Sequence, residues 1–205
     1  FIRLLKDNFS MKYLAVGTDF HFGYRGRGDV DLLRRLAGEM GFELEVVEKI
    51  QEDSREISST FIREELKRGN MEKVNDLLGF PFFVDGVIEH GRGMGHKFLL
   101  PTTNIIPAKE KLMPPNGVYD TVSHFKDRSL KGITNVGYKP TVGEKFLGVE
   151  TYLFDCEEDL YGEPCRVEFF HYSRPEKRFS SIEALKQQLL KDAEKGKAYF
   201  RSLEK

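Results

Sequence analysis

The feature that most constrains the fold of this chain is a series of short β-rich runs between about Pro81 and Tyr172. Glycine, proline and asparagine separate the runs, as turns between strands require. The clearest runs are Phe82–Val84, Gly117–Tyr119, Gly132–Val136 and Val167–Phe170. Many short strands with this punctuation are typical of a small barrel or sandwich. We therefore expect a β domain over this part of the chain.

The residues before the β-rich part show alternating strand and helix signals. Tyr13–Val16 is a short apolar run that ends at Gly17, and Phe42–Val47 alternates like a strand. Between these two runs, Asp29 is placed to cap a helix that has one apolar stripe and stops at Gly41. The order strand, helix, strand at this spacing predicts parallel α/β structure.

Three more helices are predicted. Two short ones, from about Thr60 to Arg68 and from Met71 to Leu78, precede Gly79. Near the C-terminus, Ser180 and Glu183 have the spacing of a capping box for a final helix.

The change of pattern after Gly79 places a domain boundary there, which divides the chain into residues 1–79 and 80–205.

The overall charge does not favour a nucleic-acid partner. The chain has 205 residues, with 32 Lys and Arg against 33 Asp and Glu and a formal net charge of -1. No run approaches the ~18 consecutive apolar residues of a membrane span, so we predict a cytoplasmic protein without a membrane partner. The five histidines show no zinc-site spacing, and the two cysteines are expected to be free thiols.

A glycine-rich segment follows the first run of the β-rich part. Alternating glycines let backbone N–H groups approach an anion closely, which suits a phosphate cradle. The segment is neither a P-loop nor a dinucleotide fingerprint, and a flexible hairpin loop is the alternative interpretation. Its candidate binding residues are His90, Gly91, Gly93, Gly95, His96 and Lys97.

The sequence Pro101-Thr102-Thr103-Asn104 offers two neutral oxygen ligands. The Thr102 hydroxyl and the Asn104 carbonyl stand two residues apart, so on an extended chain both side chains point the same way. Magnesium accepts such sparse protein ligation when phosphates and waters complete its octahedron. On pattern alone, a Thr-x-Asn is more often a turn or a strand-edge pair.

Taken in order, these motifs resemble those of riboflavin kinases over nearly all of the β-rich domain and the last helix. The matching residues are His90-Gly91, Gly95, Pro101–Asn104, Gly117–Tyr119, Asn135–Thr141, Glu150, Tyr161-Gly162 and Arg174–Phe179. The resemblance implies an antiparallel six-stranded β-barrel with a C-terminal helix, and phosphoryl transfer from ATP to riboflavin, which yields FMN and ADP.

The resemblance also implies roles for single residues. Thr102 and Asn104 would hold the Mg²⁺ of ATP, and Glu150 would be the general base for the ribityl hydroxyl. The nucleotide- and flavin-binding set would be Gly86, His90, Gly91, Gly93, Gly95, His96, Lys97, Pro101, Thr102, Asn104 and Arg174.

Other interpretations of these residues remain open. Glu150 lies in the alternating run Leu147–Leu153, where a glutamate usually just faces solvent. Leu99 and Leu100 stand where family members usually have Gly-Phe, and His96 stands where arginine is common. Leu99 and Leu100 favour a non-catalytic flavin-binding or regulatory module as the alternative.

The N-terminal segment resembles the FMN adenylyltransferase module that precedes the kinase in bacterial bifunctional FAD synthetases. The matching residues are Val16–Gly23 and Ile57–Arg63, and the segment would be part of a Rossmann-like nucleotidyltransferase fold. Such modules need an early His-x-Gly-His motif to bind ATP, and the printed sequence has none. The chain opens at Phe1 without a methionine, so we expect the first half of this module to be missing and adenylyl transfer to be absent.

Overall fold

The computed structural model describes residues 1–89, 102–140, 145–156 and 158–204, with side chains at all of these except 139, 140 and 145. Residues 1–58 and 59–205 pack as two compact units. The domain boundary near Gly79 stays a prediction, because a packing unit and a family domain need not share their limits. In the described part of the chain, no helix is both long and apolar enough to cross a membrane.

The first unit is a small α/β segment. Its two main strands pair in parallel, with Tyr13 opposite Glu43, as predicted. The elements are α1 (Ile2–Phe9), β1 (Tyr13–Gly17), a 3₁₀ turn (Tyr24–Gly26), α2 (Val30–Met40), β2 (Glu43–Val47), β3 (Gln51–Glu52) and β4 (Arg55–Glu56). Asp29 caps α2 by accepting a hydrogen bond from the Leu32 N–H, and Gly41 ends the helix in the left-handed conformation.

The second unit begins with two short helices and continues as one sheet. The elements are α3 (Ser59–Arg68), α4 (Met71–Leu78), β5 (Phe82–Val87), β6 (Thr103–Ile105), β7 (Gly117–His124), β8 (Ser129–Pro140), β9 (Lys145–Leu153), β10 (Pro164–Arg174) and α5 (Ile182–Leu203). The strand order is β5, β10, β7, β8, β9, β6, and all neighbours are antiparallel. The predicted fold class, six antiparallel strands with a C-terminal helix after an α/β segment, is confirmed.

The two edge strands of this sheet curl towards each other. The Glu89 N–H, just after β5, donates to the Asn104 carbonyl on β6 at 2.8 Å. Gly86 makes this approach possible, because a Cβ at that position would lie 2.3 Å from Cγ2 of Ile105. The sheet therefore takes the form of a nearly closed half-barrel.

A row of buried threonines crosses the concave face of the sheet. Thr134 on β8 bonds through Oγ1 to Thr121 Oγ1 on β7 at 2.7 Å, and to Thr151 Oγ1 on β9 at 2.8 Å. All three side chains are less than 2% exposed. Each hydroxyl can donate once and accept as well, so the row satisfies its own polar groups inside an apolar core.

Helix α5 covers the convex face. Ile133 and Val118 from the sheet pack with Ala193 and Phe200 from the helix. The helix is capped by Ser181, whose Oγ accepts from the Ala184 N–H, so the predicted capping box at Ser180 was wrong by one residue. With Ser181 as cap, Glu183 stands one position too early to return the bond.

We expect Thr134→Val to lower the free energy of unfolding by about 1–3 kcal/mol, because it leaves two buried hydroxyls short of a partner. Urea denaturation followed by circular dichroism measures the change.

The triple variant Thr121→Val/Thr134→Val/Thr151→Val is the control for this prediction. Because all three hydroxyls are then gone, its cost should be smaller than the sum of the three single costs. The proposed role of the row would be contradicted if Thr134→Val left the free energy of unfolding unchanged. It would also be contradicted if the cost of the triple variant equalled the sum of the three single costs.

Candidate active site

The candidate site is built on the convex face of the sheet, at the edge formed by β6. Glu150 on β9 lies directly opposite Asn104 on β6 and Asn135 on β8. The neighbouring residues Ile105 and Val149 are both 1% exposed and belong to the core. Because successive side chains of a strand alternate between faces, the three polar residues share the convex face. Residues directly opposite on paired strands have Cβ atoms about 4.5–5.5 Å apart, so the three form one row.

The carboxylate of Glu150 is held by the predicted metal ligand Thr102. Thr102 Oγ1 donates to Glu150 Oε1 at 2.9 Å. Thr102 and Asn104 stand two positions apart on the same extended stretch, so their side chains point to the same face. The structure thus brings together Thr102, Asn104 and Glu150, the three residues predicted from the sequence to bind the metal and to act as the base.

The glycine-rich residues predicted to bind phosphate lie outside the described part of the chain. They are His90, Gly91, Gly93, Gly95, His96 and Lys97, together with Pro101. The described residues on either side of this segment, Glu89 and Thr102, both flank the site: Glu89 is bridged to Asn104, and Thr102 bonds Glu150. The two described residues that flank this segment therefore lie beside the polar row.

Two predicted binding residues have structural contacts that are set apart from this row. Gly86 lies opposite the buried Cys165 on β10 and faces the concave interior. Arg174, at the end of β10, donates from Nε and Nη2 to Asp192 Oδ2 on α5, at 2.9 and 2.6 Å. These structural contacts explain why Gly86 and Arg174 occupy their positions even without a ligand. The binding roles of both residues stay predictions.

A second carboxylate, Glu176, approaches the same row from the segment after β10. Its Oε1 accepts from Asn135 Nδ2 at 3.5 Å, and its Oε2 accepts from Asn116 Nδ2 at 3.2 Å. The sequence analysis did not include Asn116, Asn135 or Glu176 among the site residues. Asn135 and Glu176 lie within its matching motifs, but nothing in the sequence spacing shows that these motifs meet.

A small cavity lies next to Thr102, on the side of the loop that follows β9. Its volume of about 30 Å³ is enough for a water molecule or two. The walls include Ile88, Thr103, Leu153, Cys156, Leu160 and Tyr161. Tyr161 belongs to the Tyr161-Gly162 motif, so the fold places a further matching segment at the cavity next to Thr102.

The donor set at this edge suits a hard divalent cation that also binds phosphate. Thr102 and Asn104 supply neutral oxygens, and Glu150 supplies a carboxylate. Within the described residues, no group of three or more His, Cys, Asp or Glu side chains is arranged to hold a metal ion. A cation here would depend on phosphate oxygens and water for most of its ligands, which is how Mg²⁺ usually binds.

Comparison with known protein families shows which family the chain matches. The family model described as riboflavin kinase matches residues 78–200, which include the whole sheet and most of α5. The chain belongs to the riboflavin kinase family. A second family model, described as FAD synthetase, matches residues 1–61.

Relatives of this riboflavin kinase family chain match it over almost its full length. A bifunctional riboflavin kinase/FMN adenylyltransferase of Bacillus subtilis is 34% identical over 200 residues, covering 96% of this chain and 63% of the relative. The Escherichia coli protein of the same description is 35% identical over 198 residues, with the same two coverages. The chain thus spans less than two thirds of the length of these relatives.

A solved structure shares the fold as well. A crystal structure described as a macrolide-efflux protein from Streptococcus pneumoniae superposes with a TM-score of 0.80 at 28% identity. The match covers 90% of this chain and 59% of the other.

We expect the two cysteines to differ sharply in reactivity at pH 8. Cys156 is half-buried in the cavity wall, whereas Cys165 is 5% exposed and burial raises the pKa of its thiol to about 11. About one Cys165 thiol in a thousand is ionised at pH 8, so a thiol reagent such as DTNB should modify Cys156 first and Cys165 only after unfolding.

Cys156→Ser is the matched control, and the folded variant should give almost no fast labelling. Two fast equivalents in the wild type would contradict the buried position of Cys165.

Proposed function

We propose that this protein is a riboflavin kinase, which transfers the γ-phosphoryl group of ATP to the ribityl 5'-hydroxyl of riboflavin and yields FMN and ADP. The observation that carries the proposal is the Glu150 carboxylate, fixed by Thr102 in one row with Asn104 inside the region that matches the family. Relatives named as bifunctional riboflavin kinases support the same reaction.

In the proposed mechanism, Glu150 is the general base. Its carboxylate takes the proton of the 5'-hydroxyl as that oxygen forms a bond to the γ-phosphorus. The bond between the γ-phosphorus and the β,γ-bridging oxygen breaks, and ADP leaves with the electron pair. A carboxylate has two oxygens, so the bond from Thr102 orients Glu150 and still leaves it able to accept a proton.

Thr102 and Asn104 are the residues proposed to hold Mg²⁺, the metal that accompanies ATP. When bound, the cation neutralises phosphate charge, which phosphoryl transfer needs more than covalent help from the protein. Thr102 would therefore have two tasks: its hydroxyl oxygen would be a ligand of the metal, and its proton is donated to Glu150.

The segment of residues 90–101 is proposed to contact the nucleotide phosphates through His90, Gly91, Gly93, Gly95, His96, Lys97 and Pro101. Gly86 and Arg174 complete the proposed binding set.

We also propose that this chain does not convert FMN to FAD, because the printed sequence lacks a His-x-Gly-His motif. A cytoplasmic location, and the absence of a nucleic-acid partner, remain predictions from composition.

We expect the wild type to form FMN and ADP from riboflavin, ATP and Mg²⁺, and Glu150→Gln to lower kcat by at least ~100-fold. Loss of a positioned general base typically costs this much. Chromatography of the flavins with fluorescence detection measures the rate and reports FAD in the same run.

Glu194→Gln, the same chemical change at an exposed position of α5, is the control and should leave the rate unaltered. Full activity of Glu150→Gln would exclude it as the base. Flavin binding without ADP formation would favour the non-catalytic module, and FAD in the wild-type reaction would contradict the absence of adenylyl transfer.

We expect Thr102→Val to raise the Mg²⁺ concentration needed for half-maximal activity and to lower kcat, by about tenfold in kcat/KM. The substitution removes a metal ligand and the bond to Glu150 together, and one lost hydrogen bond to a charged group is worth about 1.5–3 kcal/mol. A Mg²⁺ titration of the initial rate measures both effects.

Thr102→Ser keeps the hydroxyl and is expected to retain most of the activity. If Thr102→Ser and Thr102→Val lose activity equally, the hydroxyl is not what the site uses.

A further inference from the structure

Glu176 occupies a position on the sheet that a side chain would otherwise fill. A Cβ built on Gly137 of β8 would lie 2.0 Å from Glu176 Oε1 and 2.9 Å from its Cδ. Gly137 is buried, although Glu176 itself is largely exposed. The carboxylate therefore lies directly against the strand backbone. It fills the space left by the missing side chain at Gly137, which we call its seat.

Two asparagine amides hold the carboxylate in this seat. Asn135 lies two residues before Gly137 on the same face, and Asn116 lies just before β7. The backbone around Asn116 is itself fixed, because the Tyr119 hydroxyl donates to the Pro115 carbonyl and the Tyr172 hydroxyl donates to the Asn116 carbonyl at 3.5 Å. Burial raises the pKa of Tyr119, so this phenol remains a donor over the working pH range.

The segment from Pro175 to Ser180 is anchored at both ends. Before it, Arg174 is paired with Asp192 on α5, and after it Ser181 caps the same helix. The segment has no helix or strand of its own. From this segment, Glu176 contacts Asn135 and Gly137 of β8.

The contact also constrains Asn135, which lies opposite Glu150. An ionised carboxylate only accepts hydrogen bonds, so Asn135 must offer its NH₂ group to Glu176. Its carbonyl oxygen is then the end of the amide left to receive a donor group. A riboflavin molecule has such donors in its ribityl hydroxyls.

We propose that Glu176 is a positioning residue of the kinase site, which fixes residues 175–180 on Gly137 and orients the Asn135 amide as an acceptor for the flavin substrate. This inference rests on the proposed function. Glu176 acts here through Asn135 and the backbone, and it does not take part in proton transfer.

Kinetics of Glu176→Ala test the proposal. We expect KM for riboflavin to rise by about fivefold or more while kcat changes by less than about threefold, because binding is lost and the base is intact. Glu176→Gln keeps one oxygen that can accept a hydrogen bond from an asparagine amide. Its KM for riboflavin should therefore lie between those of the wild type and Glu176→Ala. Glu194→Gln is the surface control and should match the wild type.

A double-mutant cycle separates a specific contact from general damage. Gly137→Ala fills the seat without backbone strain, since Gly137 is not among the described residues with positive φ. It should reproduce the Glu176→Ala phenotype, and the double variant should be no worse than the more severe single variant. Additive effects, or an unchanged KM in Glu176→Ala and Glu176→Gln, would overturn the proposal.

Hydrogen exchange gives a readout that does not depend on activity. Amides of residues 176–180 should exchange several-fold faster in Glu176→Ala and Gly137→Ala than in the wild type, with α5 unchanged. If the wild type formed no FMN, the proposed function would fail, yet faster exchange would still establish that Glu176 fixes residues 175–180 on Gly137. Unchanged exchange in both variants would exclude this role of Glu176. If Glu176→Ala does not fold, Glu176→Gln replaces it in the same measurement.

Discussion

The buried hydrogen bonds that join Thr121, Thr134 and Thr151 fix the register of three neighbouring strands on the concave face. Side chains alternate between faces, so a slip of one residue would move every convex-face residue into the core. A slip of β8 would also turn Thr134 out of the interior and take away the partner of the Thr121 and Thr151 hydroxyls. The register of β8 and β9 held by this row is the one that aligns Glu150 with Asn135 on the other face. The geometry of the candidate site on one side of the sheet thus depends on polar packing on the other.

The position of the segment before helix α5 depends on a second buried polar contact, which joins the sheet to the helix. Arg174 and Asp192 form an ion pair whose side chains are only 16% and 3% exposed. Gln188 donates to the second oxygen of Asp192 at 2.8 Å, so the buried carboxylate is well satisfied. Losing one partner of such a pair costs more than the pair itself contributes, because a buried charge is left alone. The pair therefore locates the start of the 175–180 segment relative to the sheet.

The sequence predicted the strands because their signals are local. Runs such as Gly132–Val136 and Val167–Phe170 combine strand-forming residues with nearby turn residues, and both lie within observed strands. The final helix was predicted too, but its cap was placed at Ser180 instead of Ser181. Two consecutive serines have the same chemistry, and only the backbone conformation at Ser181, with φ of -149°, decides which of them caps.

The sequence by itself determined the kinds of chemistry present: a Thr-x-Asn pair, a glutamate in an alternating strand, and a motif order that identifies the family. It did not determine which of these residues meet. Thr102 and Glu150 are 48 positions apart, and Asn135 and Glu176 are 41 apart. The first contact follows from the pairing of β6 with β9, and the second from the path of the chain after β10. Only the tertiary structure decided that Glu176 lies against Gly137 and that Ile105 lies against Gly86. The physical reason is that a glycine leaves space, and the fold determines which side chain fills that space.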